Sequence, residues 1–155
     1  MECLVVAIGG GSQAVGAITA AGGLGRPLTV FGAQAAGASA ARDSWHARRR
    51  LTAESVNTFA DGVATRTTYD FTFDALLWGL ADFATVTDAE IADAMRVALR
   101  TTHTLVEPAG AVGLAALRKL APALAGRQVA LIFTGANVDE ATLRRVLVGD
   151  LSRSA

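Results

Sequence analysis

Val5-Val6-Ala7-Ile8-Gly9-Gly10-Gly11-Ser12-Gln13-Ala14 is the stretch on which the reading of this chain turns. It starts inside a continuous apolar run, Cys3 to Ile8, rich in β-branched residues and ended by glycines. That is the pattern of a strand buried on both faces of a parallel sheet. Three successive residues without a Cβ then let backbone N–H groups converge on an anion. A helix opening at Ser12 adds the partial positive charge of its N-terminus, and the Ser12 hydroxyl is a further donor. A turn that merely returns the chain to the sheet seldom needs three glycines, so phosphate cradling is the preferred reading. Gly9-x-Gly11-x-x-Ala14 also fits a loose dinucleotide fingerprint, which requires an acidic residue after the next strand. The next strand, Leu28 to Gly32, runs instead into Ala33-Gln34-Ala35, and a ribose hydroxyl would lack its acceptor.

Outward from this loop, apolar runs alternate with helical patterns. A small-residue helix is expected from Ser12 to Ala21, stopped by Gly22-Gly23. Ala35 to Arg49 is helix-compatible, Thr52 to Thr72 has no sustained period and reads as loop, and Phe83 to Val86 reads as a strand. Thr87-Asp88-Ala89-Glu90 is a capping box, after which Ile91, Met95, Ala98 and Leu99 share one helical face. Pro108 suits a first helical position, and the helix is expected to end at Pro122. Gln128 to Phe133 is a last buried strand and Asp139 to Val148 a last helix. The alternation implies one three-layer α/β/α domain around a mainly parallel, twisted sheet.

Composition narrows the function. The 155 residues carry no net charge, 52% are hydrophobic and 18% charged, which disfavours disorder and a nucleic-acid or membrane-surface role. Arg48-Arg49-Arg50 reads as a solvated helix end. No segment reaches the roughly 18 apolar residues of a membrane span, Glu2 precedes the short apolar start, and Cys3 is the single cysteine. A soluble, cytoplasmic protein is expected. Thirteen of the fourteen basic residues are arginine, and Lys119 is the one lysine.

Two further polar positions draw notice. Thr134, in Phe133-Thr134-Gly135-Ala136-Asn137-Val138-Asp139, follows a predicted strand, where ligands of open parallel sheets collect. Glu107, in Val106-Glu107-Pro108-Ala109-Gly110-Ala111, either orients a ligand or accepts a proton beside it, or stabilises a helix dipole. His46 and His103 lack partners at metal-ligand spacing, so no metal site is expected. Asp61-Gly62 reads as a turn, and Trp45 and Trp78 as core or interface anchors.

Together these segments resemble the fold-type II, tryptophan synthase beta-like pyridoxal-phosphate enzymes, in their serine/threonine dehydratase and serine racemase branch. Val5 to Gln13 resembles the strand and phosphate loop, with Ser12 where a fourth glycine is usual. Gly32 to Trp45 (GAQAAGASAARDSW) resembles a GVQAEGA segment and the helix after it. Asn57 to Thr65 (NTFADGVAT) resembles a TIADG segment. Phe83 to Ala94 (FATVTDAEIADA), Val106 to Ala111 (VEPAGA) and Thr134 to Asp139 (TGANVD) follow in the family's order.

The resemblance implies pyridoxal phosphate as cofactor, its phosphate held by Gly9, Gly10, Gly11, Ser12 and Gln13 and its ring nitrogen bonded by Thr134. It implies a small amino-acid substrate, with water eliminated from serine or threonine to leave a 2-oxo acid and ammonia. Some members bind a divalent cation through carboxylates after the second strand. Gln34, Ala38 and Ala40 stand there in this chain, so no such site is expected. The family's cofactor-anchoring lysine lies in an SFKxRGA-like segment upstream of the glycine loop, with a ring-covering SxGNHGQ-like element, and neither occurs in these residues. Lys119 falls within a predicted helix and reads as a surface residue. The chain is therefore expected to match the C-terminal, phosphate-binding half, to be inactive alone, and to self-associate or dock with an N-terminal half. A non-catalytic phosphate-binding module, or a remnant docking on a complete homologue, remains an alternative.

Overall fold

The computed structural model describes residues 1–25 and 27–150. Its centre is a four-stranded, all-parallel sheet built from β1 (Cys3–Ala7), β2 (Thr29–Ala35), β3 (Leu80–Val86) and β4 (Val129–Leu131), in the spatial order β3-β2-β1-β4. Period-two alternation sorts the strand residues between two cores. Cys3, Val5, Phe31, Ala33, Ala35 and Val86 face one side, while Leu4, Val6, Val30, Leu80 and Phe83 face the other. Helices α1 (Ser12–Gly23), α2 (Ala40–Ala47) and α3 (Asp70–Gly79) cover the second face. Helix α5 (Pro108–Leu124) covers the first; α4 (Asp88–Thr102) packs along it, and α6 (Glu140–Val148) packs on α4. This is the expected three-layer α/β/α arrangement.

Several boundaries differ from the sequence expectation, each for a local reason. Gly22 and Gly23 do not stop α1; the helix includes both, and the left-handed turn falls on Gly25 at φ 60°. Strand β2 runs three residues beyond Gly32 because β3 accompanies it as far as the Ala35–Val86 pair. The expected helix from Ala35 to Arg49 is a 3₁₀ turn over Ala36–Ala38 followed by α2. Gln34 is wholly buried, and its side-chain oxygen accepts from the Arg42 N–H in the first turn of α2 at 3.1 Å. The stretch read as loop through Thr72 contains the start of α3. Pro122 lies inside α5, whose last turn is held to the core by buried Leu120 and Leu124. The last strand is shorter than expected, Val129–Leu131, and Asp139 caps the last helix.

The arginine triplet does end a helix: α2 closes at Ala47, and Arg48, at φ 52°, places its guanidinium 5.3 Å from the ring centre of the exposed Trp78. Arg50 pairs with Asp70. Trp45 is half-buried against the second core, and its Nε1 donates to the Leu76 carbonyl at 3.1 Å.

The capping box at the start of α4 is complete. Thr87 Oγ1 accepts from the Glu90 N–H, and Glu90 Oε2 accepts from the Thr87 N–H at 2.7 Å. Although partial burial works the other way, the hydrogen bonds from Thr87 and Lys119 hold the Glu90 carboxyl below its ordinary value. Thr87→Ala removes the hydroxyl half of this cap, leaving the backbone N–H bond to Glu90, and is expected to cost about 1 kcal/mol of stability, measurable as a lowered urea midpoint with an unchanged slope.

The two outer strands differ. On β3 the Asp82 carboxylate accepts from the Phe83 N–H at 2.7 Å, Lys119 Nζ donates to the Thr85 carbonyl at 2.9 Å, and the register shifts opposite Val30 and Phe31. These devices blunt an edge. Strand β4 contains neither charge nor proline, and exposed Ile132 follows it.

Candidate functional site

The chain lays down β1, β2 and β3 in one direction, then crosses back to add β4 on the other side of β1. In an open parallel sheet such a reversal opens a crevice at the carboxyl ends of the two strands that flank it. A cleft of about 250 Å³ lies at that position. It is lined by Ala7 at the end of β1, by Gly9, Gly10, Gly11, Ser12 and Gln13, by Thr134 beyond β4, and by Glu107 and Ala109 at the start of α5. Packed against the glycine loop is a 3₁₀ turn, Asp61–Val63, from which Gly62 and Val63 reach the cleft. All seven residues singled out from the sequence as phosphate, ring or proton-handling groups thus meet in one cleft.

The glycine loop fits an anion. Gly11 occupies the N-cap of α1 at φ 91° and supplies no side-chain cap. The first backbone bond of the helix is Val15 N–H to the Gly11 carbonyl at 3.0 Å, so the N–H groups of Ser12, Gln13 and Ala14 are the orphan donors of the first turn. With the helix dipole behind them, they form a positively polarised pocket floor. The loop's own carbonyls are held from outside: Thr72 Oγ1 donates to the Gly10 carbonyl at 2.9 Å and Thr65 Oγ1 to that of Gly9 at 3.4 Å. A Cβ on Gly9 would stand 3.0 Å from the Gly62 carbonyl oxygen, and one on Gly11 2.9 Å from Leu76 Cδ1. The loop thus has room for a ligand on one side and none for side chains on the other.

Glu107 is the N-cap residue of α5, yet its carboxylate makes no cap to the helix. Its backbone N–H donates to the Gly135 carbonyl at 2.9 Å, joining the start of α5 to the Thr134 segment. The carboxylate lies over Gly135, where a Cβ would stand 2.9 Å from its carboxyl carbon. Glu107 also lines an adjoining recess of about 60 Å³ that Asp61, Asn137, Asp139 and Thr142 share. Asp139 caps α6 through the Thr142 N–H at 2.8 Å, a bond that holds its carboxyl below the ordinary value.

Lys119 is not part of the cleft. It lies eleven residues into α5 from Pro108, roughly 16 Å along the helix axis, and its ammonium is 2.9 Å from Glu90 Oε2. Among the described residues, no helix is long and apolar enough to cross a membrane.

Sequence reasoning missed Gly62 and Val63 as cleft walls, reading Asp61-Gly62 as a turn. The turn is there, but nothing local shows that it faces Gly9, more than fifty residues away.

Known proteins resemble this chain along nearly its whole length. An L-threo-3-hydroxyaspartate ammonia-lyase from Pseudomonas sp is 32% identical over 139 residues, which are 90% of this chain and 44% of that protein. An L-threonine ammonia-lyase from Thermotoga maritima is 32% identical over 155 residues, 99% of this chain and 38% of that protein. The solved structure of maize serine racemase superposes with a TM-score of 0.84 at 29% identity, over 97% of this chain and 47% of that one. The chain therefore spans less than half the length of each of these relatives. The profile of a family described as pyridoxal-phosphate dependent enzyme matches residues 1–135, which hold the whole sheet and every candidate residue of the cleft, and the chain belongs to that family.

Proposed function

We propose that the chain is the phosphate-binding portion of a pyridoxal-phosphate-dependent ammonia-lyase that removes water from a β-hydroxy amino acid such as L-threonine or L-serine. The carrying observation is that the glycine loop, Thr134 and Glu107 converge on one cleft at the point where the strand order reverses. When bound, pyridoxal phosphate supplies an electron sink that lets an α-proton and then a β-hydroxyl depart, leaving a 2-oxo acid and ammonia after hydrolysis. The N–H groups of Ser12, Gln13 and Ala14 hold the phosphate, with the Ser12 hydroxyl beside them. The Thr134 hydroxyl donates to the ring nitrogen; being neutral, it leaves that nitrogen without a proton and moderates the sink. Glu107 orients the ligand or holds a proton across the cleft from the loop.

The cleft contains no amine, and Lys119 is engaged elsewhere. In this reading the amine that anchors the cofactor comes from a complementary segment docked on this domain, and the chain alone binds without turning over. The lengths of the relatives support that division. A non-catalytic binding module is the second reading, supported by the same lack of an amine. The single, buried Cys3 supports a reducing, cytoplasmic setting.

Mixing the purified chain with pyridoxal phosphate, reducing with borohydride and mapping lysines by mass spectrometry tests both. The expected result is phosphate-competitive binding with no label on Lys119 and no release of pyruvate or 2-oxobutyrate. Label on Lys119 together with product release would overturn the claim of inactivity. Absence of any binding would overturn the phosphate reading.

A further inference from the structure

Asp88 is the first residue of α4, yet the capping of that helix is carried by Thr87 and Glu90. Both Asp88 oxygens instead reach about thirty residues back along the chain. Oδ1 accepts from the Thr58 hydroxyl at 2.6 Å, and Oδ2 accepts from the Phe59 N–H at 3.1 Å. The Thr58 oxygen in turn accepts from the Ala60 N–H at 3.2 Å. Three hydrogen bonds, two of them to a carboxylate and so of the stronger kind, gather residues 58–60 onto the start of α4.

From this anchor the chain passes straight into the cleft wall. The 3₁₀ turn Asp61–Val63 closes on the anchored segment, with the Val63 N–H donating to the Ala60 carbonyl at 3.0 Å. The turn has little freedom in where it sits. A Cβ on Gly62 would lie 2.8 Å from Ala109 Cβ, and one on Gly9 would lie 3.1 Å from Val63 Cα. The turn thus packs directly against the glycine loop and the start of α5, and the segment that leads into it is tied to Asp88, which lies outside the cleft.

We infer that Asp88 and Thr58 form a latch that fixes the Gly62–Val63 wall against the glycine loop, and that Asp88 is a positioning residue for the phosphate ligand. The inference rests on the reading of the cleft as a phosphate site. A cradle of backbone donors binds by fixed geometry, so a wall that drifts spoils binding without removing any group that touches the ligand.

The test uses the full chain with three substitutions. Asp88→Asn keeps one acceptor oxygen and loses the charge and the second acceptor; Thr58→Val removes the hydroxyl; Thr58→Ser restores it. Pyridoxal phosphate and inorganic phosphate binding are titrated, and amide hydrogen exchange is followed across residues 58–64 and 8–14 in the ligand-free chain. Asp88→Asn and Thr58→Val are each expected to weaken binding about tenfold. The double variant should be little worse than either single one, and Thr58→Ser should bind like the parent. Exchange should quicken at residues 60–64 and remain unchanged at 8–14.

A purely structural role would lower the unfolding midpoint and leave the affinity of the folded protein intact, which overturns the inference. Unchanged exchange at 60–64 overturns it as well. If the parent chain binds neither ligand, the phosphate reading fails, while exchange confined to 60–64 in the variants still upholds the latch. Should Asp88→Asn fail to fold, the Thr58→Val and Thr58→Ser pair decides the matter.

Discussion

A Gly10→Asp variant is expected to lose pyridoxal phosphate binding by at least about a hundredfold while remaining folded. Gly10 is not in the left-handed region, so an L side chain meets no backbone strain there. A Cβ would come within 3.1 Å of Tyr69 Cε2, the edge of a half-exposed ring that has room to move. The side chain would leave the loop on its Tyr69 side, and its carboxylate would add a negative charge to the loop that lines the cleft. Two like charges about 4 Å apart in a partly dry cleft repel by several kcal/mol, far more than in bulk water. Absorbance titration with pyridoxal phosphate, competed by inorganic phosphate, measures the loss, and an unchanged melting curve shows that the fold has survived. A folded variant binding like the parent would mean that the glycine loop is not the cradle.

The second large effect is expected at Gly37, a position that looks harmless because it is exposed. Gly37→Ala should destabilise the chain by about 3 kcal/mol, read as a fall in the urea midpoint. A Cβ there would press on the Asn57 carbonyl group, its carbon only 2.7 Å away. The obstacle is backbone, so no rotamer relieves it, and the two segments are already tied by the Asn57 N–H donating to the Gly37 carbonyl at 2.8 Å. Relief requires displacing residues 56–58, and Thr58 is the residue that Asp88 holds. The variant is therefore expected to bind phosphate more weakly even under conditions where it is folded. A stability within about 0.5 kcal/mol of the parent would show that this close approach is not maintained in solution.

Gly10 and Gly37 also mark the boundary of what is legible in the sequence. The buried strand, glycine loop and helix from Cys3 to Gly23 are legible because their determinants are adjacent: β-branched residues, then residues without Cβ, then a helix start. The capping box at Thr87 is legible for the same reason, since all its atoms lie within four residues. Gly37 against Asn57, Gly62 against Gly9 and Ala109, and Asp88 against Thr58 are pairs that only the tertiary fold brings together. The reversal of strand order beside β1 is likewise invisible locally, because β4 carries no mark of which edge it joins. Pro122 misleads because the burial of Leu120 and Leu124 outweighs a missing N–H in the last turn of α5. Helix α3 hides because Phe71 and Trp78 stand exposed on its outer side, spoiling the expected apolar stripe.

The unequal treatment of the two outer strands would limit the stoichiometry of any association by strand addition. Strand β3 is sealed by Asp82, by Lys119 and by a shift of register, whereas β4 is left open. Among the described residues each molecule thus offers one competent pairing edge and one that refuses. Association by strand addition between copies then terminates at two, since joining β4 to β4 leaves a sealed β3 at either end; fibre growth would need a second open edge. By the same count, any other polypeptide that adds a strand at β4 uses up the place where a second copy would bind. If both modes use β4, pairing with itself and pairing with a complement would be mutually exclusive, and titrating in a complement should convert one assembly into the other at one equivalent per chain.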